Sequence, residues 1–267
     1  MKLYYLGPKG TFSYLAAQQY KSENEVNYVS KSNLYEVVNA VSNDDKSIAV
    51  VPIENSIEGT INIVADALTQ QNIFAHGEIH LNIQFALYGL DHVHPSDIAQ
   101  VYSIAPAISQ TSHFIQKNQY TYDYVDSTIA SLEKITENIG AIAPLGSGEP
   151  YGYKPLVKNI QDYPHNTTRF LVVSNQPEYS NLATDTMLLI TPKQDKAGLL
   201  ASILNTFAMF NINLSWIESR PLKTKLGMYH FFVQADTPMN DELKKIMTIL
   251  HTLDFEVTII GSFKRIN

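Results

Sequence analysis

Residues 1–20, MKLYYLGPKGTFSYLAAQQY, change character twice, and the change decides the fold class. Lys2 to Leu6 is a short apolar run that reads as a strand. Gly7, Pro8 and Gly10 break it, and from Thr11 to Tyr20 the apolar spacing becomes helical, with Thr11 or Ser13 as the N-cap. The alternation continues outward. Asn27 to Ser30 predicts a strand, and Ser32 opens a helix carrying Leu34, Val37, Val38 and Val41 on one face. Ser47 to Val51 predicts a third strand, stopped by Pro52. This β-α-β-α-β opening is the pattern of a parallel sheet covered by helices, an α/β fold whose ligands sit where strands end and helices begin.

Phe74 to His80 and Gln84 to Leu90 alternate as half-buried strands, and the rhythm then repeats. Strands are expected at Gln100 to Ile104, Tyr122 to Val125 and Gly140 to Ala143, with helices at Ala107 to Asn118 and Ser127 to Asn138. After a stretch from Pro144 to Asn166 rich in Gly, Pro and Tyr, the strand Thr168 to Ser174 returns to the first lobe. The expected organisation is two lobes, roughly 1–75 with 160–180 and 76–159, with a ligand-sized cleft between them. Asn175 to Asp185 has linker composition, which puts a boundary near residue 180. Residues 181–267 then read strand, helix, strand, strand, helix, strand, the ferredoxin-like split unit, with Leu199, Leu200, Ile203, Leu204, Phe207 and Phe210 at helical spacing.

A length of 267 residues favours two or three domains over one, at about 150 residues per domain. Hydrophobic residues at 45% and charged residues at 17% predict a packed globular chain. Nineteen basic against 26 acidic residues leave a formal charge of -7, so no basic field exists to collect nucleic acid or an anionic membrane. Cysteine is absent, which excludes disulfides, thiolate nucleophiles and iron-sulfur sites. Gly7 and Pro8 interrupt any signal-peptide core, and a cytoplasmic protein is expected. His76 and His80 lie about 13 Å apart on one strand face and cannot share an ion, and His92 and His94 lack carboxylates to complete a site, so no metal is expected. Trp216 and Tyr229 are expected in a core or an interface.

Three segments carry chemistry. Gly7 to Ser13 joins a strand to a helix N-terminus, whose free N–H groups and positive dipole end suit an anion, and equally form a tight turn capped by Thr11 or Ser13. It lacks the ending of a phosphate loop and the third glycine of a dinucleotide fingerprint. Val51 to Thr60 groups Glu54, Asn55 and Ser56, although Ser56 and Glu58 also read as an ordinary N-cap and first-turn acid. Asn166 to Phe170 brings Thr168 and Arg169, the latter a planar fork matched to a carboxylate. Neighbours on a strand point to opposite faces, so both reach one ligand only if the strand has barely begun.

In this order, and followed by a ferredoxin-like unit, these segments resemble the prephenate dehydratase family over nearly the whole chain. Gly7 to Ser13 matches its opening motif, Val51 to Gly59 its Pro-Ile-Glu-Asn-Ser motif, and Thr168-Arg169-Phe170 its Thr-Arg-Phe motif; Ser127-Thr128 and Ala141-Ile142-Ala143 resemble its second lobe. Residues 103–107, Ser-Ile-Ala-Pro-Ala, depart from the usual Ser-His-Pro-Gln-Ala, so only Ser103 and the helical Gln110 carry over. The C-terminal unit resembles an ACT domain: Gly198-Leu199-Leu200 sits at the Gly-Ala-Leu-Val segment, and Glu218-Ser219-Arg220-Pro221 matches Glu-Ser-Arg-Pro.

The resemblance implies two α/β lobes like a type II periplasmic-binding-protein fold, removal of CO2 and the ring hydroxyl from prephenate without cofactor or metal, and feedback inhibition by phenylalanine in a homodimer or homotetramer. It implies Thr168, Asn55, Glu54 and Gln110 as catalytic residues. Arg169, Ser103, Ser56, Thr11 and Phe170 are implied around substrate, with Arg169 on a carboxylate. Gly198, Leu199, Leu200, Asn213, Leu214, Glu218, Ser219 and Arg220 are implied around phenylalanine. Thr168 is the first choice to hydrogen-bond the leaving oxygen, and a protonated Glu54 is the stronger acid. Arogenate dehydratase and a non-catalytic anion or amino-acid sensor are the rival readings.

Overall fold

The computed structural model describes residues 1–22, 24–178, 182–223 and 227–266. The expected boundary near residue 180 lies outside the described residues.

The chain opens with β1 (Lys2–Leu6), α1 (Phe12–Tyr20), β2 (Asn27–Lys31), α2 (Leu34–Ser42) and β3 (Ser47–Asn55). Strands β1, β2 and β3 are parallel neighbours, as the alternation requires. Thr11 caps α1 by accepting from the Tyr14 N–H, and Asn33 caps α2 by accepting from the Glu36 N–H. Strand β3 does not stop at Pro52. It runs through it at a register shift against a later strand, where a missing N–H costs no ladder bond. The short β4 (Gly59–Thr60) folds back on β3, and α3 (Asn62–Gln70) follows, so Ser56 and Glu58 belong to a hairpin rather than a helix start.

Strand β5 (Phe74–Asn82) belongs to this first sheet, which corrects the expected lobe division at 76. The second sheet is built from β6 (Phe85–Tyr88), β7 (Gln100–Ser103), β8 (Thr121–Tyr124), β9 (Ile139–Pro144) and β10 (Pro155–Lys158), in the order β10-β6-β9-β7-β8. The helix expected at 107–118 is two helices, α4 (Ala105–Gln110), with Pro106 in its first turn, and α5 (Ser112–Lys117). Between them the Thr111 hydroxyl bonds back to the Ala107 carbonyl. The helix expected at 127–138 is absent; one 3-10 turn, Leu132–Lys134, stands in its place. There the Ser127 hydroxyl accepts from the Ala130 N–H and the Ser131 hydroxyl donates to the Thr128 carbonyl, the side-chain competition that disfavours helix interiors.

Strand β11 (Thr167–Ser174) returns between β3 and β5. Beyond it come β12 (Asp185–Pro192), α6 (Leu199–Met209), β13 (Leu214–Pro221), β14 (Tyr229–Ala235), α7 (Asp241–Thr252) and β15 (Phe255–Ile266). Their sheet order, β13-β14-β12-β15, is that of a split β-α-β unit. The last residues of β15 pair in parallel with β5, so one sheet runs from β13 to β2. Gly261 permits this junction, since a Cβ there would lie 2.1 Å from the Ala75 carbonyl oxygen. The cores follow: one cluster spans the seam, with Leu171 and Val173 against Met187, Leu189, Trp216, Phe232 and Phe263, each buried side chain contributing about 1.5–3 kcal/mol. No helix among the described residues is long and apolar enough to cross a membrane.

Candidate functional site: an interlobe cleft

Two cross-strand pairs on β3 and β11 organise the site. Thr168 lies opposite Asn55, and Arg169 lies opposite Glu54. Because side chains alternate, the two pairs point to opposite faces of the same sheet. Thr168 shares its face with Phe170 and Val172, which α1 covers; Arg169 shares the other with Leu171 and Val173.

On the first face the Asn55 carbonyl oxygen accepts the N–H groups of Ile57 and Glu58 at 2.9 and 3.0 Å, which fixes the amide. Its NH2 therefore donates to Thr168 Oγ1 and to Asn166 Oδ1, each at 2.9 Å. Asn166 donates to Gln110 Oε1 at 2.6 Å, and Gln110 donates to Glu58 at 3.2 Å. Asn55, Asn166, Gln110 and Thr168 are all buried. The relay thus joins the first lobe to α4 of the second in one direction. Thr168 accepts from Asn55, which leaves its hydroxyl proton to be donated elsewhere.

A cleft of about 430 Å³ opens between the lobes. Gly7, Thr11, Ser13, Ser32 and Asn33 line one wall, and Ile104, Asp126, Ser127 and Thr128 the other. The N-termini of α1 and α2 both meet it, so first-turn N–H groups without intrahelical acceptors border the space. Gly10, at a φ of +91°, lets the turn lie against the second lobe, with Ile129 Cδ1 2.7 Å from where a Cβ would be. Asn55 extends beyond the end of β1, at the same carboxyl edge of the sheet as the cleft.

The structure separates the other expected site residues from Thr168. Arg169 turns away and donates from its two terminal nitrogens to Glu54 at 2.7 Å, to Glu78 at 2.9 Å and to Gln234 at 2.7 Å, and it lines a separate cavity of about 310 Å³ with Glu54, Ser56, His80 and Thr167. Strand alternation, weighed against the pairing in the sequence, wins because both residues lie within β11. Glu54 is its partner and not a proton source beside Thr168. Phe170 is 1% exposed in the apolar core. The fully buried Ser103 donates to the Ile142 carbonyl at 2.6 Å, tying β7 to β9. The Ser56 hydroxyl donates to the His165 carbonyl and accepts from the Thr167 N–H, tying the end of β3 to the start of β11. Thr11 caps α1 and lines the cleft. Sequence reasoning passed over Asn166, Asn33 and Asp126; of these Asn33, just before an apolar helical face, carried a capping signal.

The family model for prephenate dehydratase matches residues 3–178. The prephenate dehydratase of Bacillus subtilis (strain 168) is 32% identical, with the alignment covering 99% of each chain. That of Methanocaldococcus jannaschii is 34% identical, over 96% of this chain and 94% of the other. The chain belongs to the prephenate dehydratase family. Among solved structures, the prephenate dehydratase of Staphylococcus aureus subsp. aureus Mu50 superposes with a TM-score of 0.94 at 67% identity, covering 98% of this chain and all of the other. The prephenate dehydratase of Arthrobacter aurescens, solved in complex with L-Phe, superposes at 0.87 with 28% identity, over 99% and 90% of the two chains. A carbon-oxygen lyase that makes phenylpyruvate from prephenate accounts for both the chain and the neighbours.

The face of β11 opposite Thr168 carries a buried charge cluster. Glu78 is 1% exposed; burial favours its neutral form, but His80, Arg169 and Gln234 outweigh that and hold its carboxyl at about 2. Because the folded value lies below the ordinary 4.5, the stabilisation is full above pH 4.5 and is lost as pH falls toward 2. The melting temperature of the parent is expected to drop through that window more steeply than that of Glu78→Gln; parallel curves would dismiss the role of Glu78.

The C-terminal residues divide in the same way. Glu218 accepts from Thr60 at 2.9 Å, and Arg220 donates to Asp66 at 2.9 and 3.1 Å and to Asn62 at 2.7 Å, so both face the first lobe. Period-2 alternation sends both away from the helices, and their side-chain hydrogen bonds go to Thr60, Asn62 and Asp66. Asn213 donates to Asp236, and Leu214 packs in the C-terminal core. Leu199 and Leu200, just after the left-handed Gly198, line a cavity of about 230 Å³ with Lys196, Asp195, Tyr229 and Phe231. Ser219 pairs with Phe231 and so lies on the sheet face of that cavity.

Proposed function

We propose that prephenate lies in the cleft, with its carboxylates toward the N-termini of α1 and α2 and the hydroxyls of Ser13, Ser32, Ser127 and Thr128, and its ring hydroxyl toward Thr168. Loss of CO2 supplies the electron pair that makes the ring aromatic, and hydroxide departs from the opposite end of the ring. The chain's task is to orient a dianion and to stabilise the oxygen that gains charge. The observation that supports this reading is the buried Asn55 amide, which is fixed by the Ile57 and Glu58 N–H groups and donates to Thr168 Oγ1, so that the threonine keeps one hydroxyl proton to give. Helix N-termini take the role first given to Arg169, and they favour the carboxylate that stays as much as the one that leaves. Asn55 and Gln110 act by placing Thr168.

The C-terminal unit is read as an ACT module that takes phenylalanine in the cavity beside Leu199 and Leu200, with Asp195 and Lys196 at its polar end; the L-Phe complex of the Arthrobacter aurescens enzyme supports this reading. A homodimer or homotetramer through this unit fits the free edge of β13 and the exposed Leu200, Leu204 and Ile217. Phenylpyruvate formation from prephenate, with arogenate as the control substrate, tests the activity. With Leu200→Asp, the phenylalanine concentration for half inhibition is expected to rise roughly 10-fold or more, since a carboxylate enters an apolar wall. Equal inhibition of variant and parent would move the effector elsewhere.

A further inference from the structure

The Glu54–Arg169 pair and the Asn55–Thr168 pair are consecutive rungs of the same two strands. The second lies on the face that α1 covers, and the first faces the C-terminal unit. What meets the first rung from that unit is Gln234 on β14, which is fully buried. Its Oε1 accepts from Arg169 at 2.7 Å, and its Nε2 donates to Glu78 at 2.8 Å and to Asp185 at 3.1 Å. Every polar atom of this amide is used, so its orientation is determined. The aromatic ring of Trp216 on β13 supports the same guanidinium, 5.4 Å from its centre.

We propose that Gln234 is a positioning residue: through Arg169 it lets the C-terminal unit set where Thr168 and Asn55 stand beside the cleft. The geometry supplies the lever. Arg169 is held at both terminal nitrogens in a seam where its side chain is 13% exposed, which leaves it little rotamer freedom and passes a displacement of its guanidinium to its backbone, where Thr168 is the preceding residue. The register of β11 against β3 shifts immediately after Arg169, so the ladder is interrupted where such a displacement is needed. The strands of the C-terminal unit that hold Gln234 and Trp216 also carry Tyr229 and Phe231 of the effector cavity and Ser219 on its face. A small rotation of β13 and β14 on filling that cavity therefore reaches the guanidinium directly. Coupling of this kind needs only a differential contact in two states, and typical effects are about 5- to 150-fold.

The proposal rests on the reading that Thr168 acts in the cleft and that phenylalanine binds the C-terminal unit. The test uses the full chain with Gln234→Leu and Gln234→Asn. The second keeps an amide but withdraws it by one methylene from Arg169, Glu78 and Asp185 and adds no charge to the seam, so it serves if the first does not fold. Turnover, KM for prephenate, phenylalanine affinity by calorimetry and residual activity at saturating phenylalanine are measured. We expect turnover to fall roughly 10-fold with KM within about 2-fold, and bound phenylalanine to inhibit far less than in the parent. Folded variants with the parent's turnover and the parent's inhibition overturn the proposal. Inhibition lost together with phenylalanine affinity overturns it too, since the cavity itself is then disturbed. A parent that binds no phenylalanine ends the regulatory reading alone; the turnover arm then decides, an unchanged value against the link to Thr168 and a lowered one at constant KM for it.

Discussion

Thr168→Ala is expected to lower turnover by about 10²- to 10³-fold, the usual loss when one donor to a developing oxyanion is removed. KM for prephenate should change little. A ring hydroxyl in the ground state is a weak acceptor, whereas the departing hydroxide is a strong one, so the bond matters chiefly in the transition state. The relay keeps the variant folded: Asn55 retains Asn166 as an acceptor and its carbonyl remains on the Ile57 and Glu58 N–H groups. Thr168→Ser should recover much of the rate, because it restores the hydroxyl on the same backbone. Stopped or steady-state assays that find the alanine variant within a few-fold of the parent would remove Thr168 from the chemistry.

Arg169→Leu is expected to cost about 3 kcal/mol of stability, the lower end of the penalty for breaking a buried ion pair, because Glu78 keeps His80 and Arg265 and Glu54 is part-exposed. Glu54 and Glu78 lose their shared cation and Gln234 loses its donor, in a seam where Arg169 itself is only 13% exposed along its side chain. For a chain of this size that corresponds to a melting temperature lower by roughly 10 °C. The same variant separates two roles for this arginine. A substrate-binding arginine would raise KM steeply at constant stability; a seam arginine lowers stability and turnover with the affinity of the folded fraction preserved. Arg169→Lys should recover only part, since one ammonium cannot match a fork that reaches Glu54, Glu78 and Gln234 at once.

Much of this was legible before any coordinates. Apolar periodicity located the strands and helices of both ends, and the two motifs around Asn55 and Thr168 do meet, although they are more than a hundred residues apart in sequence. What periodicity misjudged has physical causes. Pro52 reads as a strand stop, and a bulge absorbs it. Ser127 to Asn138 reads as a helix, and hydroxyls bonding the local backbone prevent it. The pairing of Thr168 with Arg169 was the deeper error: sequence neighbours on a strand look like one site and belong to two faces. Glu78, Asp185 and Gln234 were silent, because an isolated acid or amide in a strand announces nothing until the partner strand that neutralises it is placed beside it.

The parallel pairing of β15 with β5, admitted by the bare backbone of Gly261, has a mechanical meaning. The two halves are not beads on a string but a single twisted plate, stitched by hydrogen bonds across its width. Torsion applied at one border of such a plate is felt at the other.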